Sequence, residues 1–233
     1  MAIVHLDGEG SINKIEGSKT KNKKPLKIKP VKYKCPTCKD TGLIEVNGLR
    51  VKCQCVVKKE LKSWLIPPLR NVIRRKGVMI VNKSDVFSPL TGKHTISFKE
   101  VPDKAVYELL TKVLLTWYYK NSMIPVPYYV ITGNDYTEAY VRGEHNKYLD
   151  VYMLTLFLGH DNKNVTLDTT IKSIIQYRTM RELPTWVILK EGVSHSKLSE
   201  LYGIDFMDYL DNNINLSVVK HGRGLKLIKK KDS

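Results

Sequence analysis

The chain has 233 residues, 42% of them hydrophobic and 27% charged, which is enough length and apolar content to bury a core without crosslinks. No run approaches the roughly 20 apolar residues of a membrane span, and no apolar stretch of the secretory type opens the sequence. A membrane protein and a secreted disulfide scaffold are both excluded on these grounds, and a bacterial or phage-infected host cytosol is the expected location. With 39 Lys and Arg against 23 acidic residues, the net charge of +16 makes an acidic polymer the expected partner.

The excess charge sits at the two ends. Residues 1–76 hold 19 Lys and Arg against 6 Asp and Glu, residues 77–219 hold 14 against 16, and residues 220–233 add six more basic groups. Residues 1–34 read as a basic flexible tail, either a nucleic-acid or acidic-surface binder or a solvating segment. The candidate phosphate-contacting residues are Lys21, Lys23, Lys24, Lys27, Lys29, Lys32 and Lys34 in that tail. Arg50, Lys52, Lys58, Lys59, Arg70, Arg74 and Arg75 follow, with Lys229, Lys230 and Lys231 at the other end. Such contacts give affinity without sequence specificity.

All four cysteines fall in the next segment, residues 35–60, as Cys35, Cys38, Cys53 and Cys55 in a C-x2-C-x14-C-x-C pattern. Four thiolates satisfy tetrahedral zinc in a closed, structural site; two disulfides or four free thiols are the alternatives. The stretch from Gly42 to Lys52 predicts a β-hairpin turning at Asn47-Gly48, which would bring the two pairs together. In so small a module, metal binding would supply most of the folding free energy.

Residues 61–100 read as a connecting segment. Within them Thr91-Gly-Lys-His-Thr95 is a turn between short strands rather than the end of a phosphate loop, since the upstream glycine and the Ser/Thr after Lys are missing. From Pro102-Asp103 a helix runs to near Asn121, followed by a strand from Val126 to Thr132. A buried strand spans Val151 to Leu158, a helix Leu167 to Met180 and a strand Pro184 to Leu189. Ser194 caps a helix to Tyr202, another runs from Ile204 to Asn212, and Leu216 to Lys220 closes with a strand. Alternating strands and helices predict a mainly parallel, three-layer α/β domain over residues 101–233, ending in a basic tail.

The segment Cys35-Pro-Thr-Cys38-Lys-Asp-Thr-Gly-Leu-Ile44, then Lys52-Cys-Gln-Cys55 and a Lys-Lys-Glu run, resembles the N-terminal zinc module of DnaC/DnaI-type helicase loaders of bacteria and phages. Tyr177-Arg178, Leu183-Pro-Thr185 and Leu198-Ser-Glu-Leu-Tyr-Gly203 resemble the second half of the AAA+ domain of that family. The resemblance implies a phosphate loop after the first core strand, acidic residues after the next and a polar sensor after the third. Taking Val126 to Thr132 as that first strand, the sequence instead supplies Gly133-Asn-Asp-Tyr-Thr-Glu-Ala-Tyr140, with Asp135 and Glu138 where an anion should sit. No carboxylate follows Leu158 until Asp161, and Lys190 stands at the sensor position.

Phosphoryl transfer depends on such positioning groups, so the expectation is a non-enzymatic AAA+-like domain with no catalytic or nucleotide-binding residues. No H-E-x-x-H occurs among the scattered histidines; His160-Asp161 is the best remaining ligand-loop candidate, against the reading of a polar loop. Arg178 and Arg181 could face a partner or simply complement a helix C-terminus. The resulting expectation is a replication accessory protein with structural Zn2+, whose partners are a replicative helicase or another replisome protein and DNA, single-stranded in the first instance. The alternatives are a zinc-containing nucleic-acid-binding regulator of transposition or transcription, and a loader mimic that inhibits host helicase loading.

Overall fold

Strands buried on both faces need helices above and below them, and four of the strands in this chain are of that kind. The computed structural model describes residues 33–159, 161, 166–222 and 224–229; Lys21, Lys23, Lys24, Lys27, Lys29, Lys32, Lys230 and Lys231 lie outside them, as does His160. A hairpin of β1 (Leu43–Val46) and β2 (Leu49–Lys52) leads into α1 (Gln54–Trp64) and α2 (Pro67–Lys76). Then come β3 (Thr95–Lys99), α3 (Asp103–Lys120), β4 (Tyr128–Thr132), α4 (Gly133–Val141), α5 (Asn146–Leu149) and β5 (Met153–Leu158). The order continues with α6 (Leu167–Met180), β6 (Thr185–Leu189), α7 (His195–Tyr202), α8 (Ile204–Asn213), β7 (Leu216–His221) and β8 (Gly224–Lys229).

The large sheet has the order β4-β5-β6-β3-β7-β8, parallel throughout except for the β7–β8 hairpin. One face carries Ile96, Phe98, Met153, Phe157, Trp186 and Ile188 against α3, with α1 and α2 packed outside it. The other face carries Leu154, Leu156, Leu158, Val187 and Leu189 against α4, α6, α7 and α8. The expected three-layer α/β class is what the chain adopts.

Three placements differ from the sequence reading. The first core strand is β3, inside the segment expected to be a connector, and it lies at the centre of the sheet. Its Thr-Ile-Ser-Phe-Lys sequence looks only half apolar, yet its hydroxyls are satisfied: Ser97 pairs with Ser217 at 2.7 Å and Thr95 with Thr179 at 2.6 Å. The strand after α3, β4, is the second strand of the large sheet in chain order and forms its edge. Residues 224–229, expected within the basic tail, form β8, which turns Leu225 and Leu227 toward the core and Lys226 and Lys229 to solvent.

Arg178 does not face a partner. Its guanidinium is fully buried and holds together the start of two strands. Nε donates to Thr185 Oγ1 at 2.9 Å, Nη1 to the carbonyls of Tyr148, Leu149 and Val151, and Nη2 to that of Pro184 at 2.9 Å. Burial pushes its pKa down to about 10, which leaves it charged at neutral pH. A planar fork of donors fits this ring of carbonyls and an ammonium does not. Arg178→Ala strands several buried carbonyls and is expected to cost about 3 kcal/mol or more. In a thermal melt that is a fall of roughly 6–12 °C, and Arg178→Lys should recover less than half of it.

Candidate metal centre and the strand-end crevice

The turn at Cys35–Cys38 is fixed before any ion is considered. The Asp40 carboxylate accepts the backbone N–H of Cys35 at 2.8 Å and of Lys34 at 3.0 Å, and these two donors lower its pKa in that order. Lys39 and Asp40 both take left-handed backbone conformations, φ 49° and 65°. On the other side, Cys53 is the extended N-cap of α1 and Cys55 the second residue inside it. The change of direction at the helix start lets two thiols one residue apart face the same point, which accounts for the tight C-x-C spacing. The Cys53 N–H donates to the Gly42 carbonyl at 2.8 Å, joining the hairpin to the helix.

All four Sγ atoms lie within 4.8 Å of one another. Cys35 and Cys53 are 3.8 Å apart and Cys38 and Cys55 3.5 Å, so neither pair is a disulfide, whose bond length is about 2.05 Å. Metal–sulfur bonds of about 2.3 Å in a tetrahedron put sulfurs roughly 3.8 Å apart, and the donor set fits such an ion. The Cys35 and Cys55 thiols are shifted in opposite directions. The Cys38 backbone N–H, then the Cys38 and Cys55 thiols, lower Cys35 to about 6. The Cys38 thiol, then that of Cys53 and burial, push Cys55 up to about 12. A bound cation would favour the thiolate form of the cluster.

The hairpin and α1 are tied to the body through one acid. Lys52 Nζ donates to Glu60 at 2.8 Å and to the Met123 carbonyl at 3.0 Å, while the Tyr118 hydroxyl donates to Glu60 at 2.6 Å. Lys52 and then Tyr118 lower the Glu60 pKa. Trp64 stacks on Tyr118 with centroids 5.6 Å apart and donates its Nε1–H to the Val126 carbonyl at 2.9 Å. Lys52, expected to face nucleic acid, is thus committed inward. Arg70 donates to the Lys62 carbonyl at 3.1 Å and Arg75 to that of Asn71 at 3.3 Å. Lys34, Arg50, Lys58, Lys59, Arg74, Arg75 and Lys229 are exposed, and Arg70 is half-buried. Lys58, Lys59, Arg70, Arg74 and Arg75 share α1 and α2, whereas Lys229 ends β8.

In open parallel sheets ligands lie outside the carboxyl ends of strands where successive connections diverge. Here the chain leaves β3 for α3 on one face and β6 for α7 on the other. Only Glu100, Val101 and Pro102 separate β3 from α3; Val101 is fully buried and Pro102 has no N–H to offer. No Gly-Lys-Ser/Thr occurs there, as none occurs after β4. Nearby, Lys99 is ion-paired with Asp211, which also lies 3.9 Å from His195, and Lys220 pairs with Glu191 at 2.7 Å. Lys190, expected at the sensor position, is half-buried at the end of β6.

Asp161, after β5, is only 7% exposed. It accepts the Asn134 N–H at 2.7 Å and the Tyr202 hydroxyl, so it sits against the first turn of α4. Gly133 allows this approach, because a Cβ there would lie 2.8 Å from the carboxylate. Burial and then Asp161 raise the pKa of Tyr202. Asp135 does not stand free but completes a capping box with Thr132. The sequence offered no sign of the Asp161–Tyr202 pairing, since the partners are 41 residues apart.

No known protein family matches the sequence, and no curated protein matches it. Among solved structures, that of AMPPCP-bound DnaA from Aquifex aeolicus is similar at a TM-score of 0.36 and 15% identity, over 60% of this chain and 49% of that one. The chain thus spans about half the length of that structure.

Two outcomes follow from the geometry of the cysteine module. A strong chelator should abolish an early unfolding transition seen by circular dichroism, and Cys38→Ser should do the same; a disulfide module would yield to reductant and resist the chelator. Glu60→Gln is expected to cost about 1 kcal/mol at pH 7, discounted for its partial exposure. Because the folded-state pKa is lowered, this stabilisation is present above the unfolded value of about 4.3 and lost as pH falls through the folded value. Urea titrations should therefore separate the variant from the parent at pH 7 and bring them together as the pH falls below the folded-state value.

Proposed function

We propose that the chain is a non-catalytic DNA-replication accessory protein of the helicase-loader kind, with structural zinc at Cys35, Cys38, Cys53 and Cys55. Its AAA+-like body acts as a rigid platform, and its basic helices and termini engage the replicative helicase and single-stranded DNA. The observation that carries this reading is the four-sulfur cluster built on the start of α1, a helix that is itself clamped to the sheet body by Glu60. Zinc suits an all-sulfur closed site, and it would fold the module rather than take part in a reaction.

The lack of nucleotide chemistry is supported by the three-residue connection after β3 and by the engagement of Asp161 with Tyr202 and α4. The ion pairs Lys99–Asp211 and Lys220–Glu191 near the strand ends agree with it. A second reading, a zinc-containing nucleic-acid regulator outside replication, draws on the exposed Lys58, Lys59, Arg74 and Arg75.

The test is co-purification of the full chain with the replicative helicase of its host, with elemental analysis and ATP turnover measured on the same preparation. Helicase retention, one zinc per chain and no turnover are expected. Absence of any replisome protein, together with salt-steep DNA binding that flattens on deletion of residues 1–34, would favour the second reading. ATP hydrolysis lost on altering residues 99–104 would refute the non-catalytic assignment.

A further inference from the structure

Helices α1 and α2 enclose a groove of about 390 Å3, open along one side of the module that carries the cysteines. Its floor is aliphatic, formed by Val57, Leu61, Ile73 and Val78, with the Tyr119 side chain from α3. Its edges are cationic: Lys58 and Lys62 on α1, Arg70 and Arg74 on α2. No acidic side chain among the described residues lines it. Val78 is 50% exposed, an apolar surface at the groove that the chain's described residues leave uncovered.

The spacing is regular. Each edge carries two cations four residues apart, which is about 6 Å along a helix axis, and Val57 and Leu61 repeat the interval on the floor. A helix with apolar side chains every three or four residues and carboxylates flanking that stripe would match floor and edges at once. Single-stranded DNA would satisfy the cations but not the floor, because bases stack on aromatic rings and the floor offers one ring among four aliphatic side chains.

We infer that the α1–α2 groove is the docking site for an acidic amphipathic helix of a partner protein. The inference rests on the platform reading and names the chemistry of the contact: carboxylates on Lys58, Lys62, Arg70 and Arg74, and aliphatic side chains on Val57, Leu61 and Val78. Because the edges are exposed, affinity should fall with ionic strength.

The experiment uses the full zinc-loaded chain and three fluorescent probes followed by anisotropy. These are a 15-residue peptide with leucines on one helical face flanked by glutamates, a scrambled peptide of the same composition, and a 20-mer of thymidylate. The patterned peptide should bind at least tenfold tighter than the scrambled one. The double variant Lys58→Glu/Arg74→Glu should weaken it at least tenfold, and Val78→Asp should do likewise, while Lys226→Glu on β8 leaves it unchanged. Superimposable melting curves establish that the variants fold; if Val78→Asp does not, the charge-reversal pair carries the test.

Equal binding of patterned and scrambled peptides would overturn the inference. So would thymidylate binding that depends on the groove residues when peptide binding does not. If the peptides fail while the helicase is still retained by the full chain, the groove assignment is wrong and the platform reading survives. If the patterned peptide binds through the groove and no helicase is retained, the groove stands and the replication partner falls.

Discussion

Four thiols gathered at one point are the constraint on which the N-terminal part of this chain depends. Two of them are pulled in opposite directions by their neighbours, Cys35 down to about 6 and Cys55 up to about 12. A bound cation would remove that conflict and fix three otherwise independent pieces: the Cys35–Cys38 turn, the hairpin and the first turn of α1. The hairpin has little core of its own; Leu43, Val46 and Leu49 are exposed. Beyond the pairing of its own strands, it is held in place by the cysteines, by the hydrogen bond between Cys53 and Gly42, and by Lys52 on Glu60 and the Met123 carbonyl.

The constraint is transmitted along α1. One end of the helix holds two of the cysteines, and further along it Glu60 reaches Lys52 of the hairpin and Tyr118 of α3. Trp64 then closes the helix on Tyr118, Tyr128 and the Val126 carbonyl. A buried tyrosine donating to a carboxylate that also holds a lysine is a directional contact, and it sets the angle of α1 on the body as apolar packing alone would not. With α1 so fixed, the α2 helix that follows after two residues has little freedom, and the cations of both helices are held in a defined array.

The sequence disclosed what periodicity and spacing encode. β5, β6 and β7 were legible as apolar runs between helical segments, and the cysteine cluster as a metal-type spacing. β3 was not, because its Thr and Ser look solvent-facing until Ser217 and Thr179 are seen beside them. β8 was hidden by its lysines, although Leu225 and Leu227 alternate with polar positions as a half-buried strand should. α1 and α2 are hard to read in sequence because seven cations are interspersed with as many aliphatic and aromatic residues, while the buried face of Val57, Leu61, Leu69 and Val72 is a narrow stripe. Among the site residues, Lys52 and Arg178 were misplaced for one reason: a cation in a sequence does not announce whether its partner is a phosphate, a carboxylate or a ring of carbonyls.

With β3 rather than β4 as the first strand of the large sheet, the residues at the central strand ends are those after β3. The segment after β4 is at the sheet edge and is a capped helix start. The connection after β3 lies at the centre, where the chain diverges to opposite faces, and it is too short and too proline-bound to present a row of amides to an anion. The carboxylate after β5 approaches α4 so closely that a Cβ at Gly133 would lie 2.8 Å from it, and it accepts the Asn134 N–H. On the proposed reading, the short connection after β3 and the contact of Asp161 with α4 and Tyr202 share one feature: polar groups at the strand ends are engaged within the chain.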